Sequence, residues 1–243
     1  MGIFAKPLGF LLQWLYKLLS GFIPHGAYGL AIVILTVVIK LCLYPLYKKQ
    51  MKSTMGMSKL QPKMQELQQK YGKDKALYNE KVMELQKQEG VSMYGGCLPM
   101  LINMFVIMGL FTLLRNPIAY ISDSSMIYAV HENFLWMQDL AQPDKWILPI
   151  VAGVATFFSF SMNQMQTGAN AAQSNMMNQA MKWFFPIFIL WMARTYPAGL
   201  AVYWACSQII QILYNLGFKK EKERMKQEEE DRKNKGKRKV KKA

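Results

Sequence analysis

The sequence predicts an all-α integral membrane protein with five membrane-crossing helices, and two observations carry that expectation. The apolar residues of the 243-residue chain are gathered in runs between very polar stretches, so the near-neutral mean hydropathy averages membrane spans with water-facing segments. The formal charge of +15 is also concentrated. Residues 48–89 hold ten Lys against five acids, and residues 219–243 hold thirteen Lys or Arg against six. Both blocks belong on the cytoplasmic side by the positive-inside rule, so an even number of crossings must separate them. Four apolar runs lie between them and one precedes the first block, which puts the N-terminus outside and the C-terminus in the cytoplasm.

Residues 1–26 read as an interfacial helix and a break. Phe4, Leu8, Leu11, Leu12, Leu15, Leu18 and Leu19 recur at helical spacing, interrupted by Lys6, Gln13 and Lys17. No small-x-small cleavage site follows within SGFIPHG, so an uncleaved amphipathic helix is expected rather than a signal peptide. Gly21, Pro24 and Gly26 end it.

Residues 27–47 form the first span. At about 1.5 Å per residue they extend roughly 31 Å, close to the ~30 Å hydrocarbon thickness. The run carries a single charge, Lys40, roughly 12 Å short of the basic residue Lys48. An ionisable group there costs about 2.5–3.5 kcal/mol on insertion scales, so a partner, a wet cavity or a function is expected around it.

Residues 48–92 predict a helical hairpin standing in water. Leu60, Met64 and Leu67 share one face before the turn at Tyr71-Gly72-Lys73-Asp74, and Leu77, Val82 and Leu85 make a looser stripe after it. Residues 93–115 are the second span, with Asn103 inside it, and 116–145 a polar, aromatic outer loop. Residues 146–163 are the third span. Residues 164–182, rich in Gln, Asn and Met, are expected to be a flexible inner connection. The short fourth span, 183–196, contains Pro186 and ends near Arg194; the fifth, 197–218, opens on the Pro197-Ala198-Gly199 turn and contains Tyr203, Ser207, Gln208, Gln211 and Asn215. Residues 219–243 are a basic tail. Cys42, Cys97 and Cys206 fall in spans and read as small buried hydrophobes rather than disulfides or metal ligands.

Catalysis has little support. His25 and His131 belong to no metal or nucleophile motif, and HExxH, GxSxG and phosphate-binding glycine loops are absent from the sequence. No cofactor or metal is expected. The spans contain no Asp, Glu or His, which argues against a proton-coupled transporter. They offer instead Lys40 with uncharged polar residues: Thr36 one turn before it, Asn103, Gln164, Tyr203 and Gln208. Together these predict a wet, positively charged groove in the inner half of the bilayer. Met51, Met55, Met57, Met165 and Met176 crowd the cytoplasmic ends, where soft side chains suit a binder of many apolar sequences; gap-filling is the alternative. A small anion channel or solute transporter using Lys40 as its charge site is the rival reading at this level.

Several strings carry a resemblance. LQPKMQELQQKYGKDKALYNEKVMELQKQEG followed by GGCLPMLINM, then FLWMQDLAQPDKWILP, YPAGLAVYW and the YPL at Tyr44–Leu46, together resemble the YidC/oxidase-assembly/Albino family of membrane protein insertases. The likeness covers roughly residues 28–211 and is closest to the Gram-positive type of bacterial member. It implies a five-span core in the cell membrane, around a hydrophilic groove open to the cytoplasm and to lipid but closed to the outside. It also implies an insertase that releases nascent hydrophobic segments laterally without nucleotide hydrolysis. The family's groove charge, usually Arg, falls at Lys40; Asn103 stands where Gln is common, and Gln208 where Asn is. Lysine keeps the charge but lacks the planar fork for bidentate carboxylate binding. Nascent membrane proteins are the implied clients, with the ribosome and the Sec translocon as candidate partners. Lys233, Lys235, Lys237, Arg238 and Lys239 in the tail are placed to hold ribosomal RNA or anionic lipid.

Overall fold

A computed structural model describes residues 2–23, 25–90, 98–120, 123, 125–167 and 172–240. The described residues are almost wholly helical, with an isolated bridge between Phe134 and Met137 in place of any sheet. In chain order the helices are α1 (Gly2–Ser20), α2 (Ala27–Tyr71), α3 (Lys75–Gln88), α4 (Leu98–Arg115), the short α5 (Ser125–Ala129), α6 (Ile147–Thr167), α7 (Ala172–Ala193) and α8 (Ala198–Val240). Among the described residues Ala27–Ser53 is long and apolar enough to cross a membrane by itself; Met104–Arg115, Ile147–Asn163 and Lys182–Ala193 are shorter apolar stretches.

The first span and the first arm of the hairpin are one helix of 45 residues, α2, with Pro45 and Pro62 inside it. The turn falls where the sequence sets it. Gly72 closes α2 by donating its N–H to the Gln68 carbonyl, and the Asp74 carboxylate then accepts from the N–H groups of Ala76 and Leu77, capping α3. Leu60 and Val82 are buried in the hairpin, as the apolar stripes predict.

The inner connection is more helical than its composition suggests. α6 runs on to Thr167 and α7 starts at Ala172, so most of the segment expected to be flexible lies inside two helices. Gln, Met and Ala are good helix formers, and polarity alone does not break a helix. The basic tail likewise continues α8 as far as Val240.

The N-terminal helix is not simply amphipathic. Ala5, Leu12 and Leu15 are buried, Phe4 stacks on Phe105 with ring centroids 5.4 Å apart, and a side chain at Gly109 would come within 3.0 Å of both Leu8 and Phe4. Its outward side is also apolar, with Phe10, Trp14 and Leu18 exposed. Two of its polar residues reach the segment that follows α4: Gln13 donates to Asp123, and Lys17 pairs with the same carboxylate at 2.6 Å.

The outer segment forms a fitted lid. Ala198 and Gly199, at the start of α8, donate their N–H groups to the carbonyls of Gln142 and Leu140. Phe134 lies so close to α2 that a Cβ at Gly29 would stand 2.2 Å from its ring, so only glycine admits it there. The core beneath is built from α1, α2, α4, α6 and α8, with Ile32, Leu35, Leu110, Leu113 and Tyr203 fully enclosed.

Candidate functional site

Polar side chains lie at helical spacing on α2, α6 and α8, three helices that pack against one another. On α2, Thr36 is fully buried and its hydroxyl donates to the Ile32 carbonyl at 2.7 Å, satisfied within its own helix. Lys40 follows one turn on and is half-buried, with no ion-pair partner among the described residues. Its backbone carbonyl accepts from the Tyr214 hydroxyl at 3.0 Å, so α8 grips α2 at the Lys40 turn.

On α6, Thr156 donates to the Ala152 carbonyl and accepts from the Trp204 indole at 3.0 Å. Ser159 is buried, and the buried Ser161 hydroxyl lacks a partner among the described residues. On α8, Tyr203 is 2% exposed and hydrogen-bonds Ser207, while Gln208 is half-buried. Tyr203 is therefore a core residue, and Gln208 is the more open of these two sequence-predicted positions.

Beyond Lys40 the α2–α8 seam closes over an aromatic cluster. Tyr44 and Tyr47 lie 5.2 and 5.3 Å from Tyr214, and Tyr47 lies 5.8 Å from Phe218. The Tyr47 hydroxyl donates to Asn215, a fully buried amide whose Nδ2 has no partner among the described residues. Met51 is buried against Phe218 with Tyr47 beside it, so gap-filling describes it better than an open binding surface.

The side chains of Asn103, Gln164, Met55, Met57, Met165, Met176, Lys233, Lys235, Lys237, Arg238 and Lys239 lie outside the described residues, as does all of Cys97. The structure thus brings Thr36, Lys40, Tyr203 and Gln208 onto packed helices. Sequence reasoning noted Asn215 without pairing it with Tyr47, and missed Tyr214 and the Thr156–Trp204 bond. The available signal was spacing: Tyr44 and Tyr47 share a face of α2, and Tyr214 and Phe218 share a face of α8.

The opposite end is fastened by carboxylates. Glu132 accepts from the Tyr16 hydroxyl at 2.6 Å and from the Tyr28 N–H in the first turn of α2 at 3.1 Å, where the helix dipole favours an anion. Burial, then the hydrogen bond to Glu132 and its charge, push the Tyr16 phenol up to about 12. Burial pushes the Asp144 carboxyl up, but hydrogen bonds from Trp136 and from the N–H groups of Leu148, Trp146 and Lys145 outweigh it and hold the group below its usual range. A pocket of about 330 Å³ lies in this lid, between Trp136, Asp139, Gln142, Asp144 and Ala198, and none of the described sequence-predicted site residues lines it.

Residues 18–227 match the family model described as 60Kd inner membrane protein. The chain is 36% identical over 222 residues to a membrane protein insertase YidC of Caldanaerobacter subterraneus subsp. tengcongensis, covering 91% of this chain and 96% of that one. It is 36% identical over 212 residues to the protein of the same name from Fusobacterium nucleatum subsp. nucleatum, covering 83% and 95%. Among solved structures, it is similar to an active YidC insertase crystal structure with the first transmembrane domain resolved. The TM-score is 0.59 at 27% identity, and the match takes in 87% of this chain and 45% of that one.

Proposed function

The chain belongs to the 60Kd inner membrane protein family, and from that premise we propose how it acts as a membrane protein insertase in a bacterial membrane. A nascent hydrophobic segment enters a groove built on α2, α6 and α8, its polar or acidic N-terminal flank is drawn to Lys40, and the segment leaves sideways into lipid. The observation that carries this reading is Lys40 itself: a half-buried ammonium on an apolar helix, with no ion-pair partner among the described residues. A client carboxylate supplies the missing charge only while it passes. Polar groups on the neighbouring helices, the half-buried Gln208 of α8 and the unpaired Ser161 hydroxyl of α6 among them, would lower the desolvation cost that bare lipid imposes on that flank.

The membrane potential and hydrophobic partition complete the transfer in this scheme, and nucleotide hydrolysis has no part in it. Five crossings, with the N-terminus outside and the hairpin and tail in the cytoplasm, agree with the charge distribution. Nascent membrane proteins are the clients. Asn103 and Gln164 would extend the polar lining, Met55, Met57, Met165 and Met176 would receive the apolar segment, and Lys233, Lys235, Lys237, Arg238 and Lys239 would contact the ribosome. The Sec translocon is a further candidate partner. An anion channel built on Lys40 finds no support among the relatives.

The test is insertion of a small single-span substrate with an acidic N-tail into liposomes. Lys40→Ala is expected to lower insertion severalfold, Lys40→Arg to retain it, and a substrate with a neutral tail to depend less on either. Normal insertion of the acidic substrate by Lys40→Ala would remove the groove charge from the mechanism.

A further inference from the structure

The lid carries a feature that insertion of a client does not use. Phe134 and Met137 exchange both backbone hydrogen bonds, each 2.9 Å, closing a two-residue turn with Leu135 and Trp136 at its tip. Leu135 has φ of 55°, the sole positive value at a non-glycine position among the described residues. A positive φ at the first central residue alone is the pattern that tight hairpins give to glycine. Here a leucine occupies it and stands 74% exposed beside a Trp136 that is 45% exposed. Backbone strain held in order to present two large apolar side chains outward needs a reason beyond folding.

The position of the tip supplies one. The Trp136 indole donates to Asp144 Oδ2 at 2.9 Å, and the same carboxylate accepts from the Leu148 N–H, in the first turn of α6. The tip is therefore pinned at the level where the third span begins. At that level Trp146 is 61% exposed, and the Arg194 guanidinium sits over its ring at 4.2 Å. Ile147 and Ile150, just below, are also exposed, as lipid-facing residues of a span would be. Two indoles, an arginine and an exposed leucine at a span entrance are the composition of a membrane–water interface, where amphipathic rings lie at headgroup depth and cations meet phosphates.

We infer that the Leu135–Trp136 turn is an anchor for the lid in the outer leaflet, with Leu135 entering the acyl boundary and Trp136, Trp146 and Arg194 lying among phospholipid headgroups. The lid is thereby held from two sides, by protein through Glu132 and Asp144 and by lipid through its tip.

Depth measurement tests this on the full chain in vesicles of phosphatidylethanolamine and phosphatidylglycerol. A nitroxide is placed at Leu135→Cys or, as a lid control, at Gln138→Cys, with Cys42, Cys97 and Cys206 replaced by alanine. The label at 135 is expected to collide more with oxygen and less with a water-soluble nickel chelate than the label at 138. Equal chelate access at the two positions would overturn the anchor and leave the tip as a water-facing surface for a protein partner. Brominated-lipid quenching gives a second reading: Trp136→Phe is expected to lose part of the quenched tryptophan emission, and an unchanged quenched fraction would count against the anchor. Leu135→Asn separates anchoring from folding, because asparagine accepts a positive φ. It is expected to keep or raise the thermal midpoint in detergent while reducing lipid quenching of Trp136. A lowered midpoint in detergent would show Leu135 serving the fold instead.

Discussion

The two ends of the helical bundle treat polar groups in opposite ways. At the lid end, all four acidic side chains of residues 116–145 are engaged: Asp123 with Gln13 and Lys17, Glu132 with Tyr16 and the Tyr28 N–H, Asp139 with His131 and the Ala141 N–H, and Asp144 with Trp136 and the start of α6. At the other end Lys40 has no ion-pair partner, and Ser161 Oγ and Asn215 Nδ2 have no hydrogen-bond partner, among the described residues. A satisfied polar network rigidifies, whereas buried groups left unpaired cost folding energy and wait for a ligand or water. This molecule thus concentrates its polar pairing at one end and leaves polar groups unpaired among the described residues at the other.

Breaking the fastened end should have the largest effect. Glu132→Ala removes one carboxylate that holds α1, the lid and the start of α2 together, and should cost about 2–4 kcal/mol, read as a lower unfolding midpoint in detergent. Glu132→Gln should recover part of that loss, since an amide oxygen still accepts from one donor. The same contact fixes an alkaline limit. The Tyr16 phenol is raised from 10.0 to about 12 in the folded chain, so the folded state holds the proton more tightly than the unfolded one. Stability from this group is therefore complete below pH 10.0 and is lost as pH rises toward about 12, a loss that a pH series on Tyr16→Phe should lack.

At the inner end the effects should be smaller in stability and larger in function. Tyr47→Phe strips the buried Asn215 of its hydroxyl partner and should cost about 1–2 kcal/mol by thermal unfolding, loosening the α2–α8 seam close to the Lys40 turn. An altered insertion rate in that variant, at matched stability, would tie the seam to client passage. Smallest is Asp74→Ala at the hairpin tip, where loss of the α3 cap should cost about 1 kcal/mol. Faster amide exchange confined to α3, with the spans unchanged, would show that the hairpin opens independently of the bundle.

The apolar helical stretches and the hairpin turn at Gly72 were legible in the sequence, because each rests on local composition. The continuity of α2 from the first span into the hairpin was not legible, since the change to charged residues at Lys48 marks a change of surroundings and carries no signal that the helix runs on. The lid was read as a loop because its order comes from contacts more than a hundred residues apart, such as Tyr16 with Glu132. Of the candidate site residues, Thr36 and Lys40 follow from helical spacing on one element. Tyr47 with Asn215 depends on two helices meeting 168 residues apart, which no periodicity within one helix reveals.

The unbroken α2 has a mechanical consequence. Lys40 and the hairpin tip at Tyr71 sit on one rod, and Pro45 and Pro62, neither of which can donate the helical hydrogen bond at its position, are the weak points between them, Pro45 being the nearer to Lys40. The arm from Pro45 to Tyr71 is about 39 Å long, so a swing of about 10° there displaces the tip by roughly 7 Å. Read the other way, a load taken up at the hairpin arrives as torque about a turn and a half from the lysine, with the Tyr214 hydroxyl on the Lys40 carbonyl as the clamp it works against.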